Sequence, residues 1–233
     1  MDIDLSRTPA DAYRAWRQAL RDDQRSLVVR HQHWRGRVRC DQQTALQALL
    51  EHGLDRAMQE GEIIKICGVT SVTRLQWQGQ DWVLKRYNTR GAGHFLRKQL
   101  RRSRARRTWQ GSAWLNSIGV ATPAPVAYLE QRCFGLLGSA YYICDFVAAP
   151  TLMSLIGEPE MVPAEQQVMR FIDAMEHYRF CHGDLKANNF LWQDQRLCVL
   201  DLDAMKLQLP GWYAKGRIAK DRARWAKNFI EPA

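Results

Sequence analysis

Several features that would place this chain of 233 residues in a common class are missing from it. No apolar run comes near the ~20 residues that a membrane-spanning helix needs, and none of the six cysteines belongs to a CxxC pair or a His/Cys cluster. These absences disfavour a membrane span, a zinc site and a disulfide framework. The first residues, MDIDLSRTPADAYRAW, are acidic and polar where a signal peptide would be basic and then apolar, so we expect a cytoplasmic protein.

Acidic residues are absent from one long stretch, because none occurs between Asp81 and Glu130. A solvated helix face usually mixes both signs of charge. A block of one sign therefore predicts an anionic partner, such as nucleic acid, phospholipid headgroups or a phosphorylated glycan, with a merely solvated surface as the alternative. Nine basic residues of this block account for nearly all of the net charge of +10: Arg86, Arg90, Arg97, Lys98, Arg101, Arg102, Arg104, Arg106 and Arg107.

The order of elements predicts an α+β fold. Residues 1–60 have the pattern of a helix, a short strand and a helix, and three strand-like runs follow, broken at Gly68 and at Gly79. The basic block reads as a helix that ends near Gly119, and two further strands lead to Asp145. The sequence thus predicts a five-stranded antiparallel sheet with one helix inserted after the third strand.

The second half of the chain is predicted to be mainly helical. Pro163 opens a helix, since proline is tolerated in a first turn, and a basic helix closes the chain. We predict three segments: an extension over 1–60 packed on an N-lobe, the N-lobe itself over 61–144, and a hinge with a reduced C-lobe over 145–233. The hinge is expected at Asp145–Val147.

The string His182-Gly183-Asp184-Leu185-Lys186-Ala187-Asn188-Asn189 carries the strongest chemical signal. Phosphoryl transfer needs a carboxylate beside the attacking hydroxyl and oxygen ligands for Mg²⁺. Asp184 suits the first role. Asn189, together with Asp201 at the end of the buried strand Val199-Leu200-Asp201, suits the second, and Lys186 would offset phosphate charge. An Asx-rich loop capping a helix is the alternative reading.

Three other residues belong to the same interpretation. Lys85, in the strand-like run Val83-Leu84-Lys85, either snorkels at an edge or points at an anion, and the downstream set favours the anion. His182 is expected to pack and to hydrogen-bond the loop backbone. For Asp203 two roles stay open, sharing the metal or bracing the loop.

In these motifs the chain resembles the protein-kinase-like superfamily, and it looks most similar to the bacterial lipopolysaccharide core kinases, which phosphorylate heptose or Kdo sugars. The resemblance covers about residues 60–230 and implies a two-lobed kinase fold that uses ATP and Mg²⁺. It implies that Asp184 is the catalytic base and that Lys85 binds the α- and β-phosphates. It also implies metal binding by Asn189 and Asp201, and adenine binding by the backbone of Asp145–Val147. The matching segments are VLKRYN (83–88), SRARRTW (103–109), GVATPAP (119–125), HGDLKANN (182–189) and DLD (201–203).

The chain departs from the superfamily pattern in three places. The helix after the strand lysine has no glutamate, and Thr108 lies about where one would be expected, so that Lys85 would pair with Asp201 or wait for ATP. The phosphate-covering loop has a single glycine, Gly68, helped by Ser71, Thr70 and backbone N–H groups. Gly183 replaces the arginine common in regulated protein kinases, so control by activation-loop phosphorylation is not expected. No GxxxxGK[ST] motif occurs, which excludes the P-loop class.

We therefore predict an ATP-dependent kinase for a hydroxyl of an inner-core lipopolysaccharide sugar, heptose or Kdo. The basic block would face a phosphorylated glycolipid at the cytoplasmic face of the inner membrane, and no nucleic-acid partner is expected. A pseudokinase-like scaffold and a small-molecule kinase of the aminoglycoside or choline type are the alternatives. The basic block argues against the second, because cationic acceptors favour acidic sites.

Overall fold

The computed structural model describes residues 3–21, 24–68, 70–88, 102–133 and 136–229. Within these ranges the helices are α1 (Pro9–Ala19), α2 (Gln43–His52), α3 (Leu54–Glu60), α4 (Arg104–Ser117), α5 (Met161–Tyr178) and α6 (Gly211–Lys227). The strands are β1 (Ser26–His31), β2 (Trp34–Arg39), β3 (Glu62–Cys67), β4 (Thr70–Trp77), β5 (Gln80–Tyr87), β6 (Pro125–Cys133), β7 (Leu136–Asp145), β8 (Phe190–Gln193) and β9 (Arg196–Val199).

The chain divides into two compact units. The sheet unit comprises Arg21–Gln110 and Ala124–Val147, and the helical unit comprises Met1–Leu20, Gly111–Pro123 and Ala148–Ala233. The segment Asp145–Val147, predicted as a hinge, ends where the chain leaves the sheet unit for the last time.

The sheet unit is built on a seven-stranded sheet in the order β1-β2-β6-β7-β5-β4-β3, and every neighbouring pair is antiparallel. Strands β3 to β7 are the five that the sequence predicts, with α4 inserted after the third of them. The α+β class with an antiparallel sheet is confirmed. The predicted count of five strands is wrong.

The two additional strands come from the segment that was expected to lie outside the sheet. The alternating stretch that begins at Ser26 folds into the hairpin β1–β2, and β2 pairs with β6. Gly36 permits this pairing, because a Cβ atom there would lie 1.8 Å from the carbonyl oxygen of Tyr128. Alternating apolar residues predict a strand but not the edge that it joins, so the sequence did not reveal this extension of the sheet.

The core of the sheet unit lies on one face of the sheet, under α2 and α3. The predicted helical stripe Leu46, Leu49, Leu50 and Leu54 is buried there. It belongs to one cluster with Trp82 and other side chains of the central strands. Because side chains alternate along a strand, Val83, Lys85 and Tyr87 project from the other face.

The helical unit packs α1, α5 and α6 around the small antiparallel sheet β8–β9. The predicted buried face of α5, formed by Val168, Phe171, Ile172 and Met175, is buried. This core lies directly beneath the loop that carries Asp184, because Phe171 makes an edge contact with the ring of His182.

The first helix belongs to the helical unit, whereas the sequence placed all of residues 1–60 against the sheet. Tyr13 of α1 stacks on Trp114 at 4.1 Å between ring centroids, and its hydroxyl donates to the carbonyl of Tyr178 at 2.9 Å. Burial raises the pKa of Tyr13 to about 12. Its hydroxyl therefore stays a donor over the physiological range.

Among the described residues, no helix combines the length and the apolar character that a bilayer crossing requires.

Candidate active site

The loop 182–189 joins α5 to β8, and backbone hydrogen bonds hold it at both ends. Cys181 and Lys206 exchange two backbone bonds of 3.0 and 3.1 Å. At the other end the N–H of Leu200 donates to the carbonyl of Asn189 at 2.8 Å. The second bond fixes Asn189 beside Leu200, the residue that precedes Asp201.

His182 has the packing role that the sequence predicts. It is fully buried, and its ring stacks on Phe190 with centroids 6.1 Å apart. Its Nδ1 accepts the N–H of Asp184 at 3.3 Å, and its Nε2 lies 2.9 Å from the carbonyl of Leu200. Since an N–H must donate, these bonds assign the ring proton to Nε2. The ring thus joins the loop to the end of β9.

The carboxylate of Asp184 is partly exposed and lies among polar groups of its own loop. Its Oδ1 is 3.0 Å from Nζ of Lys186. The side-chain amide of Asn189 donates to the Asp184 carbonyl at 2.8 Å and lies 3.4 Å from Oδ2. Asp184, Lys186 and Asn189 therefore form one group, with a carboxylate that can accept a proton and an ammonium that has further donors.

The donor set of this loop suits a hard cation. The amide nitrogen of Asn189 is occupied by Asp184, so its carbonyl oxygen is the atom that can face a metal. Asp201 follows β9 in the left-handed conformation, with φ 52°. The described residues contain no group of three or more His, Cys, Asp or Glu side chains that could hold a metal. Mg²⁺ in phosphotransfer sites needs only one or two protein carboxylates beside water and phosphate.

An ion pair of α6 with one buried partner, which the sequence did not predict, holds the same loop. Asp221 is fully buried, and it accepts the N–H of Gly183 at 2.9 Å. Arg224, one turn later, donates to the Gly183 carbonyl at 2.9 Å and pairs with Asp221 at 3.2 Å. Its Nε is 4.0 Å from Oδ1 of Asp184. An acidic residue on the buried side of an otherwise basic helix was the available signal.

Gly183 is required by the geometry of this turn. Its φ of 90° lies in the region that favours glycine, and a Cβ atom would lie 2.6 Å from the backbone oxygen of Ala204. The chain thus has glycine here because the loop passes close to the segment after β9.

In the sheet unit, Lys85 lies on β5 opposite Val72 of β4 and Tyr142 of β7. The two-residue turn Gln78-Gly79, with φ of 48° and 78°, fixes this register, since two positive φ values are typical of a tight hairpin turn. The ammonium of Lys85 is 5.6 Å from the centroid of the Tyr87 ring, within cation–π range.

Thr108, at the position expected for the missing helix glutamate, faces the sheet. It is buried; its hydroxyl donates to the Arg104 carbonyl at 3.1 Å and lies 3.5 Å from the hydroxyl of Tyr87. The buried carboxylate of Glu130 on β6 accepts the N–H of Ser103 at 3.3 Å, which anchors the start of α4. A buried acid of the sheet thus holds the residue that precedes this helix.

The residues predicted to cradle phosphate do not all share the face of Lys85. Gly68 follows β3 with φ 49°. Ser71 pairs with Arg86, so its side chain points to the face opposite Lys85, whereas Thr70 pairs with Tyr87 and lies on the same face as Lys85. Thr70 is thus the hydroxyl of this loop that the sheet directs toward the Lys85 face.

The predicted adenine-binding segment has part of its backbone engaged. Asp145 N–H donates to the carbonyl of Ala124 at 2.9 Å, and Phe146 N–H donates to the carbonyl of Asp81 at 2.8 Å. The Asp145 carboxylate pairs with Arg39 of β2 at 3.0 Å. A nucleotide would therefore find its donor here in the N–H of Val147.

The basic block is described only in part. Arg90, Arg97, Lys98 and Arg101 lie outside the described residues. Of the remainder, Arg86 pairs with Asp55 at 3.2 Å, and Arg102 donates to the side chain of Gln110 at 3.0 Å.

Lys85 belongs to the sheet unit and Asp201 to the helical unit. The expected pairing of Lys85 with Asp201 stays a prediction.

Residues 55–224 match the model of the lipopolysaccharide kinase (Kdo/WaaP) family. The chain belongs to that family. It is therefore a kinase, a phosphotransferase that uses ATP, and the family resemblance seen in the sequence is confirmed. The matched range contains Lys85 and the whole of the Asp184 loop, and it ends at Arg224.

The fold of this kinase is similar to that of a solved structure described as WaaP in complex with acyl carrier protein. The TM-score is 0.60 and the sequence identity is 17%, over 89% of this chain and 83% of the other. At this identity the likeness establishes the fold alone. No curated protein matches the chain by sequence.

Proposed function

We propose that this kinase transfers the γ-phosphoryl group of ATP to a hydroxyl of an inner-core lipopolysaccharide sugar, heptose or Kdo. The observation that carries the proposal is the group formed by Asp184, Lys186 and Asn189, in a chain that belongs to a lipopolysaccharide kinase family. Such a loop has the carboxylate, the ammonium and the amide that phosphoryl transfer requires.

In the proposed reaction the sugar hydroxyl attacks the γ-phosphorus, and the bond from that phosphorus to the bridging oxygen of ADP breaks. Asp184 orients the hydroxyl and takes its proton. Lys186, already 3.0 Å from Asp184, turns further N–H donors toward the transferring phosphoryl oxygens. Asp221 and Arg224 keep the loop in place by binding both backbone groups of Gly183.

ATP is assigned to residues of the sheet unit. Lys85 would bind the α- and β-phosphates, and the loop at Gly68 and Thr70 would add backbone and hydroxyl donors. The carbonyl of Asp145 and the backbone of Val147 would meet adenine, because the N–H groups of Asp145 and Phe146 are already donated within the sheet unit.

Asn189 and Asp201 would hold Mg²⁺. The ion supplies positive charge to the phosphate oxygens when it is bound. Two contacts support this assignment. The amide nitrogen of Asn189 donates to Asp184, which leaves the amide oxygen as the possible metal ligand. A backbone hydrogen bond keeps Leu200, the neighbour of Asp201, beside Asn189.

The acceptor is proposed to be a phosphorylated glycolipid at the cytoplasmic face of the inner membrane. The net charge of +10 and the acid-free stretch between Asp81 and Glu130 support an anionic partner. The last helix adds to this, because Trp212 is exposed and Lys215, Lys220 and Lys227 lie on the solvent side of α6. Aromatic and basic side chains on one helix surface suit a lipid interface.

Features of the sequence suggest two other functions. A pseudokinase-like scaffold is motivated by the absent helix glutamate and the single loop glycine. Against it stands the ordered group around Asp184. A small-molecule kinase of the aminoglycoside or choline type would favour an acidic acceptor site, which the basic block does not offer.

The test is incubation of the purified protein with Mg²⁺-ATP and dephosphorylated core glycolipid, which lacks phosphate on its heptose and Kdo sugars but keeps its other phosphates, followed by mass spectrometry. We expect a mass gain of one phosphate on the glycolipid. ATP binding without transfer to heptose- or Kdo-containing fragments would refute the proposed acceptor. Absence of an Mg²⁺-dependent thermal shift with ATP would favour the scaffold.

A further inference from the structure

The edge strand β3 contains one irregularity, and it determines where Lys65 points. Ile63 pairs with Thr73, but the next paired residue, Lys65, faces Val72. Two residues on β3 thus correspond to one step on β4, so Ile64 is an extra residue, a β-bulge. In a regular ladder Ile64 would face Val72, and Lys65 would point to the opposite face of the sheet.

The bulge places Lys65 in one row with Lys85. Lys65 pairs with Val72, and Val72 pairs with Lys85, so all three side chains project from the same face. Two strand spacings separate the two lysines, about 9.6 Å. A lysine carries its ammonium on a flexible four-carbon stem, so both ammonium groups can reach one polyanion lying over Val72.

The acids of strands β3 to β5 on this face are directed elsewhere. They are Glu62 and Asp81, and both lie against Arg74, at 3.7 and 2.7 Å. Hydrogen bonding to Arg74 holds the pKa of the Asp81 carboxyl below its usual value. Neither of these two carboxylates is therefore directed at the end of the face that carries Lys65 and Lys85.

We propose that Lys65 is a second phosphate-binding lysine, which acts with Lys85 on the polyphosphate of ATP. This inference rests on the proposed function, since it needs ATP at Lys85. It also supplies a physical reason for the loop with a single glycine. A glycine-rich loop binds phosphate through backbone N–H groups. Where the loop has a single glycine, the ammonium of Lys65 on β3 would add positive charge for the phosphates.

The experiment measures the dissociation constants of ATP and adenosine for the full chain and its variants, by titration at low salt. Lys65→Ala is expected to weaken ATP binding about three- to five-fold, as for an exposed charge pair, and to leave adenosine binding unchanged. Lys65→Arg should retain most of the affinity for ATP. Lys85→Ala is expected to weaken ATP binding about ten-fold or more.

The matched control moves the charge by one residue to the other face. Ile66 pairs with Ser71, so it points away from Lys85, and it is exposed. The double variant Lys65→Ala/Ile66→Lys has the same net charge as the native chain, yet it should bind ATP as weakly as Lys65→Ala. Arg222→Ala, which removes a half-exposed side chain of α6 that pairs with Glu176, should bind ATP normally.

The outcomes separate the two claims. If Lys85→Ala weakens ATP binding and Lys65→Ala does not, Lys65 has no such role and the proposed function stands. If the relocated lysine restores affinity, the effect is one of net charge and the face-specific role is wrong. If the native chain binds no ATP, or if Lys85→Ala binds it normally, the proposed nucleotide site itself is wrong.

Discussion

Asp221 holds Gly183 through a hydrogen bond of 2.9 Å from the backbone N–H to a fully buried carboxylate. Arg224 completes the arrangement, because it binds the carbonyl of Gly183 and the carboxylate of Asp221. The N–H and the carbonyl of Gly183, in the loop that carries Asp184, are thus both held by α6. The loop that carries Asp184 is therefore positioned by Asp221, which lies 38 residues after Gly183 in the chain.

Removal of Asp221 should loosen this loop. Asp221→Ala leaves the N–H of Gly183 buried without a partner and Arg224 without its carboxylate, which we expect to cost about 2 kcal/mol of unfolding free energy. Transfer activity should fall more than the loss of folded protein explains. Chemical denaturation and initial rates at a temperature where the variant is folded measure the two effects.

The control is Arg222→Ala on the same helix. Arg222 pairs with Glu176 at 3.0 Å, and both side chains are about half exposed, so its loss should change stability by less than about 0.5 kcal/mol. Equal effects of the two substitutions would contradict the role assigned to Asp221.

Alanine at Gly183 should be poorly tolerated, because the φ of 90° disfavours a side chain and the new Cβ would lie 2.6 Å from Ala204 O. We expect the free energy of unfolding to fall by about 2 kcal/mol and phosphate transfer to fall markedly. Gly216 of α6 is the matched site, since an added Cβ there meets nothing within 4 Å. Gly216→Ala should instead stabilise the helix, by up to about 1 kcal/mol. A higher melting temperature for Gly183→Ala than for the native chain would overturn this account of the turn.

Cysteine reactivity should follow burial. Cys198 of β9 is buried, which raises the pKa of its thiol to about 12, and burial also raises the pKa of Cys181. Both thiols therefore stay protonated at pH 8. A protonated thiol reacts poorly with an alkylating reagent, because the thiolate is the nucleophile. Exposed Cys67, next to Gly68, should react with iodoacetamide before either of them.

Peptide mass spectrometry after brief alkylation measures this order. In denaturant all three thiols should be labelled, which serves as the control. Rapid labelling of Cys198 in the folded chain would contradict the packing of β9.

The sequence predicted the parts of this fold that local patterns encode. The five strands β3 to β7, the stripe at Leu46 and the buried face of α5 all follow from the spacing of apolar residues. The family could be predicted as well, because the residues of the loop at Asp184 lie close together in sequence.

What the sequence did not reveal depends on pairing between distant segments. The hairpin β1–β2 joins β6 because Gly36 lets the backbone of Tyr128 approach. No local sequence pattern predicts that β2 pairs with β6. The side chain of Ser71 points away from Lys85 because of strand register. Asp221 reaches Gly183 only in the packed unit. Each of these facts needs the tertiary structure.

The most direct test of the central claim is Asp184→Asn, assayed for phosphate transfer to dephosphorylated core glycolipid and, separately, for ATP binding. The substitution keeps the size of the side chain but removes the proton acceptor. We expect transfer to fall by at least about 10²-fold, while the affinity for Mg²⁺-ATP changes little. Transfer at the native rate, or loss of transfer and ATP binding together, would contradict the assignment of Asp184 as the catalytic base.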